Sequence, residues 1–183
     1  MPLVISVTNA GGGLGKTTVA MLLARYFYNN GEKTLLIDTD VSQANAIQWS
    51  LKGENFDSGK VYLSDIGYDI IWISEQNEMQ YIPADNYSII IIDGRPSDYV
   101  CMYLSVYSDY IIVPFMRRKG DIYKTKEFVA DIKSKGIQDK KIVYFYNREA
   151  RQLRIGDIFS APDWYLNKLA EMALGVKNEK VRI

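Results

Sequence analysis

The sequence predicts an α/β fold in three layers, a mainly parallel β-sheet with helices on both faces. Three observations predict it. Short runs rich in Val, Ile and Tyr alternate with segments of helical spacing along the 183-residue chain. Those runs are continuously apolar, as strands buried on both faces require. A glycine-rich loop follows the first run and opens the first helix, the strand–loop–helix context in which such loops cradle phosphate.

Taken in order, Leu3–Thr8 reads as the first strand and Lys16–Tyr28 as the first helix, with Val19, Leu22, Leu23, Tyr26 and Phe27 on its apolar face. Thr34–Asp38 is a short apolar strand ending in an acid, and Gln43–Leu51 has helical spacing. Lys52–Lys60 is a polar, glycine-bearing loop. Asp69–Ser74, Tyr87–Asp93, Asp109–Phe115 and Lys141–Tyr146 complete the predicted strands. Asp98–Tyr107, Asp121–Lys135 and Pro162–Leu174 complete the helices. No repeat, low-complexity tract or linker interrupts the pattern, so residues 1–183 are expected to form one domain.

Composition narrows the chemistry. The chain has no histidine and one cysteine, Cys101, which removes Ser-His-Asp and Cys-His catalysis, histidine-ligated metals and any internal disulfide. No apolar run approaches the ~20 residues that span a bilayer. The N-terminus MPLVISVTN lacks the basic region and small-residue cleavage site of a signal peptide, so a cytoplasmic setting is expected. Formal charge balances overall, yet residues 1–100 carry −6 and residues 101–183 carry +6. That asymmetry points to an anionic partner for the second half, or to an ordinary solvated surface.

The loop NAGGGLGKTT at Asn9–Thr18 carries the strongest chemical signal. Glycines let backbone N–H groups converge on phosphate oxygens, and the helix N-terminus adds positive potential. Gly11, Gly12, Gly13, Leu14, Gly15, Lys16, Thr17 and Thr18 therefore form the expected nucleotide cradle, a P-loop with Ala10 in place of its first glycine. Lys16 is expected to reach the β- and γ-phosphates, and the Thr17 hydroxyl to ligate Mg²⁺. Asp38 and Asp93 end predicted parallel strands, where ligand crevices form, and a buried acid there is tolerated when it meets a cation.

These segments resemble the ParA/MinD family of deviant Walker A ATPases, particularly the short partition type, over nearly the whole chain. GGLGKTT is similar to that family's GGVGKTT, LLIDTD at Leu35–Asp40 to its DxD strand, and YSIIIIDGRPSD at Tyr87–Asp98 to its Walker B segment, with Arg95 in place of the first proline. SDYIIVPF and YFYNR resemble two further strands. The resemblance implies ATP, ADP and Mg²⁺ as cofactors, with Asp93 holding Mg²⁺ through water, Asp38 near the metal, and Asp40 positioning or activating the attacking water. Asp40 also stands where a helix N-cap would. It places Asn147 and Arg148 at adenine, although an Asn at a strand end equally suits local backbone bonding.

One residue of the family pattern is missing. The signature lysine of KGGxGKT, which in the family reaches the partner's phosphates in a nucleotide-sandwiched dimer, is Gly11 here. Losing such a cation can cost roughly 10³ or more in rate. Slow hydrolysis, or compensation by Arg95 or one of Arg117, Arg118 and Lys119, is expected; a switch that binds without turnover is the alternative. The resemblance further implies an ATP-bound homodimer, sequence-independent DNA binding and a ParB-like centromere-binding partner, hence a nucleoid-associated location. Lys133, Lys135, Lys140, Lys141, Lys168, Lys177, Lys180 and Arg182 are the candidate phosphate contacts. No segment matches the helix-turn-helix that longer relatives carry in front, so operator-specific binding is not expected. Trp164, Tyr165, Leu166, Leu169, Met172 and Leu174 could instead form a MinD-like membrane face, but such spacing more often packs on its own domain.

Overall fold

The computed structural model describes residues 1–95, 99–116, 118–138, 142–147, 161 and 163–174. The strands are β1 (Leu3–Thr8), β2 (Thr34–Asp38), β3 (Val61–Leu63), β4 (Asp69–Trp72), β5 (Ile89–Gly94), β6 (Tyr110–Phe115) and β7 (Ile142–Tyr146). The helices are α1 (Lys16–Asn29), α2 (Asn45–Ser50), α3 (Tyr99–Val106), α4 (Lys119–Ser134) and α5 (Asp163–Leu174). The seven strands form one sheet in the order β3-β4-β2-β5-β1-β6-β7, parallel except for β3, which runs antiparallel to β4.

Side-chain alternation explains the three layers. Ile89 and Ile91 of β5 join Ile5, Val7, Leu36 and Ile112 on one face, where they bury the apolar residues of α1, α2 and α5. Ile90 and Ile92 point the other way, with Leu35, Ile37 and Ile71, against Val100 of α3. Ile111, Val113 and Ile142 continue that second face beneath Phe128, Val129 and Ile132 of α4. Because both faces are covered, the strands need no polar alternation, and this is why they read as unbroken apolar runs.

Most boundaries fall within two residues of the sequence expectation. The exceptions are instructive. β3 lies just beyond the polar loop and was not expected, because three residues on an edge carry too little pattern. Two 3₁₀ turns, Gln76–Tyr81 and Ala84–Asn86, fill the stretch between β4 and β5. α2 is shorter than Gln43–Leu51, since Asp40–Ala44 is spent on a turn that ends with Ala44 at φ 45°. α5 is no free amphipathic helix: Leu166, Leu169 and Ala170 are buried in the cluster that contains α1. Asp98, Arg117, Lys140, Lys141, Arg148, Pro162, Lys177, Lys180 and Arg182 lie outside the described residues, as do the side chains of Trp164, Tyr165, Met172 and Leu174.

Candidate functional site

The glycine loop joins β1 to α1 at the carboxyl edge of the sheet. Gly13 and Gly15 adopt φ of 67° and 82°, a left-handed conformation that costs other residues energy. Gly15 is the N-cap of α1 and supplies no side-chain cap to the first-turn amides, which have no partner within the helix. Leu14 is 1% exposed and anchors the loop to the protein.

Three side chains hold this loop in shape. The Asn9 side-chain amide donates to the Pro114 carbonyl and the Thr125 hydroxyl, both at 2.8 Å, tying the end of β1 to β6 and α4. Asn147, at the end of β7, donates from Nδ2 to the Leu14 carbonyl at 3.0 Å. Its donor therefore fixes the backbone of the phosphate loop, the local role that sequence left open beside base recognition. Lys16 Nζ donates to the Gly11 carbonyl at 2.7 Å, which arches its side chain over the loop. Burial lowers the Lys16 pKa, the charge of Asp93 opposes that shift and the charge of Arg95 adds to it.

Below the loop lie the carboxylates. β2 and β5 are adjacent, and their register sets Asp38 directly beside Asp93. Asp93 is 2% exposed, accepts a hydrogen bond from the Thr17 hydroxyl, and leaves Oδ1 buried without a hydrogen-bond partner among the described residues. Burial, then the charge of Asp38, raises its pKa to about 8. Asp38 is raised to about 6, chiefly by burial, although its two oxygens accept from the amides of Asp40 and Ile47 at 3.0 and 3.1 Å. Asp38 is thus also the group that pins α2 to the sheet.

Asp40 is engaged at both oxygens. Oδ1 accepts from the Ser42 amide and hydroxyl and from the Gln43 amide, at 3.1, 2.7 and 3.1 Å. Oδ2 pairs with Arg95 Nε at 3.0 Å. In this conformation Asp40 organises the turn before α2 and is not its N-cap, which is Ala44 and has no side-chain cap.

A cleft of about 320 Å³ opens over these groups, lined by Gly12, Gly13, Leu14, Gly15, Lys16, Thr17 and Thr18 on one side and by Asp40, Gln43, Asn45, Trp49 and Arg95 on the other. The loop, Lys16, Thr17 and Asp40 thus come together as the sequence suggests, with Asp38 and Asp93 beneath them. Asn9, Gln43, Asn45 and Trp49 were not singled out from sequence. Asn9 carries no local signal, because its partners lie 105 and 116 residues away. Cys101 is buried, with its thiol pushed up to about 11 chiefly by burial, so it is not a nucleophile.

The donor set fits Mg²⁺. Mg²⁺ keeps several waters and takes oxygens from one or two protein groups and from phosphates. The unpartnered Asp93 Oδ1 beside the Thr17 hydroxyl is the kind of acceptor that such a hydrated cation satisfies.

Fold and site together define a P-loop nucleotide-binding protein. Residues 5–156 match the CobQ/CobB/MinD/ParA nucleotide binding domain, and the chain belongs to that family. Among solved structures it is similar to a plasmid partition protein from Borrelia burgdorferi, at 19% identity and a TM-score of 0.69, covering 95% of this chain and 97% of that one. It is similar to the septum site-determining protein MinD complexed with Mg-ADP from Pyrococcus horikoshii, at 18% identity and TM-score 0.65, covering 92% and 77%. The MinC:MinD cell division complex of Aquifex aeolicus matches at 14% identity and TM-score 0.67, covering 94% and 78%. Comparison with curated protein sequences returns no match.

Proposed function

We propose that this chain is a ParA-like ATPase that binds ATP with Mg²⁺, dimerises around it, and acts in DNA partition through sequence-independent DNA binding. The observation that carries the nucleotide reading is the convergence of Lys16, Thr17 and the unpartnered Asp93 Oδ1 beneath a loop whose Gly13 and Gly15 adopt the left-handed conformation. Partition, rather than another family role, is supported by the partition-type motifs and by the basic second half.

Each residue then has a task. The amides of Gly12–Thr18 bind phosphate oxygens, and Lys16 exchanges the Gly11 carbonyl for the β/γ bridge region. Thr17 and Asp93 would hold Mg²⁺, Asp93 through water, with Asp38 behind them; the cation supplies charge neutralisation on the phosphates. Hydrolysis joins a water oxygen to the γ-phosphorus and breaks the bond to the β–γ bridging oxygen, yielding ADP and phosphate. Asp40 would orient that water once Arg95 leaves its Oδ2. Gly11 contributes no charge, so turnover is slow unless a cation from elsewhere in the cleft takes the place of the signature lysine.

Exposed Lys119, Lys124 and Lys126 of α4, with Lys168 of α5, add to the basic character of the second half. The expected test outcome is an ATP-dependent mobility shift of unrelated duplexes alike, with log K falling about 0.9 per phosphate neutralised against log salt. No shift in either nucleotide state at low salt would reject the DNA role. A cytoplasmic, nucleoid-associated location and a ParB-like partner belong to the same reading. Among the described residues no helix is long and apolar enough to cross a membrane, and the burial of Leu166 and Leu169, two residues of the candidate MinD-like lipid face, weighs against that face.

A further inference from the structure

The place of the missing lysine is physically closed. A Cβ built on Gly11 meets Leu14 Cδ1 at 2.5 Å and Cγ at 3.1 Å, and Leu14 is buried. The loop is therefore packed around a glycine, and a cation for the terminal phosphate has to come from elsewhere.

The opposite wall of the cleft holds one. Arg95 follows Asp93 and Gly94 at the end of β5 and lines the cleft together with Gly12–Thr18. Its side chain is 41% exposed, and among the described residues its only ion pair is to Asp40. Asp40 is fixed independently of that pair by the Ser42 and Gln43 amides, so the carboxylate is a stationary anchor and the arginine is the partner free to swing. Its charge is felt at Lys16, which places both cations on the same volume.

We propose that Arg95 contacts the γ-phosphate of ATP from within the same chain, and that Asp40 retains it until that phosphate competes for the guanidinium. A phosphate bearing about two negative charges competes with the single charge of the Asp40 carboxylate, whose side chain is 12% exposed against 41% for Arg95, and the planar fork of arginine matches the phosphate in two parallel hydrogen bonds. The exchange reads the terminal phosphate. ADP, which lacks it, leaves the Arg95–Asp40 pair intact, whereas ATP breaks the pair and releases the Asp40 oxygen beside the γ-phosphorus. This inference rests on the nucleotide-binding reading above and extends it to discrimination between ATP and ADP.

The test compares dissociation constants of ADP and of a non-hydrolysable ATP analogue, both with Mg²⁺, for the full chain and three variants. Arg95→Ala is expected to weaken the analogue roughly 10-fold or more and ADP less than about 2-fold. Arg95→Lys, which keeps charge without the fork, should fall between. Asp40→Asn removes the competitor and should raise the preference for the analogue over ADP. Equal losses for both nucleotides in Arg95→Ala, or no loss, would overturn the γ-phosphate contact. An unchanged preference in Asp40→Asn would overturn the retention by Asp40. Wild-type protein that binds neither nucleotide would instead reject the nucleotide reading on which the proposal stands. Thermal melts of each variant separate a folding defect, which lowers both affinities together, from the selective loss.

Discussion

Restoring the lysine at position 11 should fail on its own and succeed only when its neighbour is cut back. A Cβ at 2.5 Å from Leu14 Cδ1 sits about 1 Å inside ordinary carbon–carbon contact at roughly 3.5–4.0 Å. Leu14, 1% exposed, cannot rotate into solvent. Glycine's backbone freedom is not the obstacle, because Gly11 is not among the residues with positive φ. Overpacking of this kind costs about 1–3 kcal/mol, which lowers the melting temperature by about 2–4 °C per kcal/mol for a domain of this size. Leu14→Val deletes the atom at 2.5 Å and, alone, costs about 1 kcal/mol for one buried methylene. The double variant Gly11→Lys/Leu14→Val should therefore be more stable than the sum of the single changes by about 1–2 kcal/mol. Urea unfolding of the four proteins at a common m-value measures this. Additivity within about 0.5 kcal/mol would refute the claim that Leu14 closes the site.

Three further outcomes are expected. Asn147→Ala leaves the Leu14 carbonyl without its donor and should cost about 1–3 kcal/mol in chemical denaturation while loosening nucleotide binding, whereas a residue reserved for adenine would leave stability unchanged. Burial raises Asp93 from 3.8 to about 8, so its contribution to stability is present below the lower value and lost as pH rises through the upper one; it adds up to ~1.4 kcal/mol per pH unit of downward slope between them. Asp93→Asn should flatten that slope in melts taken from pH 5 to 9, and the Mg²⁺-dependent part of nucleotide affinity should rise over the same window in the wild type as the carboxyl gives up its proton. Finally, Gly11→Lys/Leu14→Val placed in an Arg95→Ala background should raise the steady-state ATPase rate above that of Arg95→Ala alone.

The sheet was legible because burial on both faces of a parallel strand leaves a plain trace, the unbroken run of Ile89–Ile92 being the clearest case. β3 was not, since its pairing with β4 is decided by an edge that three residues cannot announce. The phosphate loop could be read from residue types, as its function depends on glycine geometry and one lysine. The roles of Asp40 and Asn147 could not. Each has a short polar side chain with two chemically reasonable uses, and only tertiary placement shows Asp40 on the amides of Ser42 and Gln43 and Asn147 on a carbonyl 133 residues away. Arg95 stood out in sequence as a departure from the family pattern. What it does in this conformation became visible only with Asp40 at 3.0 Å.

Nucleotide binding through Lys16 is the claim on which the rest depends. Titrating a fluorescent ATP analogue with Mg²⁺ into the wild-type chain and into Lys16→Ala tests it directly. A half-buried ammonium that leaves the Gly11 carbonyl for phosphate oxygens contributes charge-assisted hydrogen bonds, so its removal should weaken binding by roughly 10-fold or more. An affinity unchanged by the substitution, in a variant that melts like the wild type, would contradict the account.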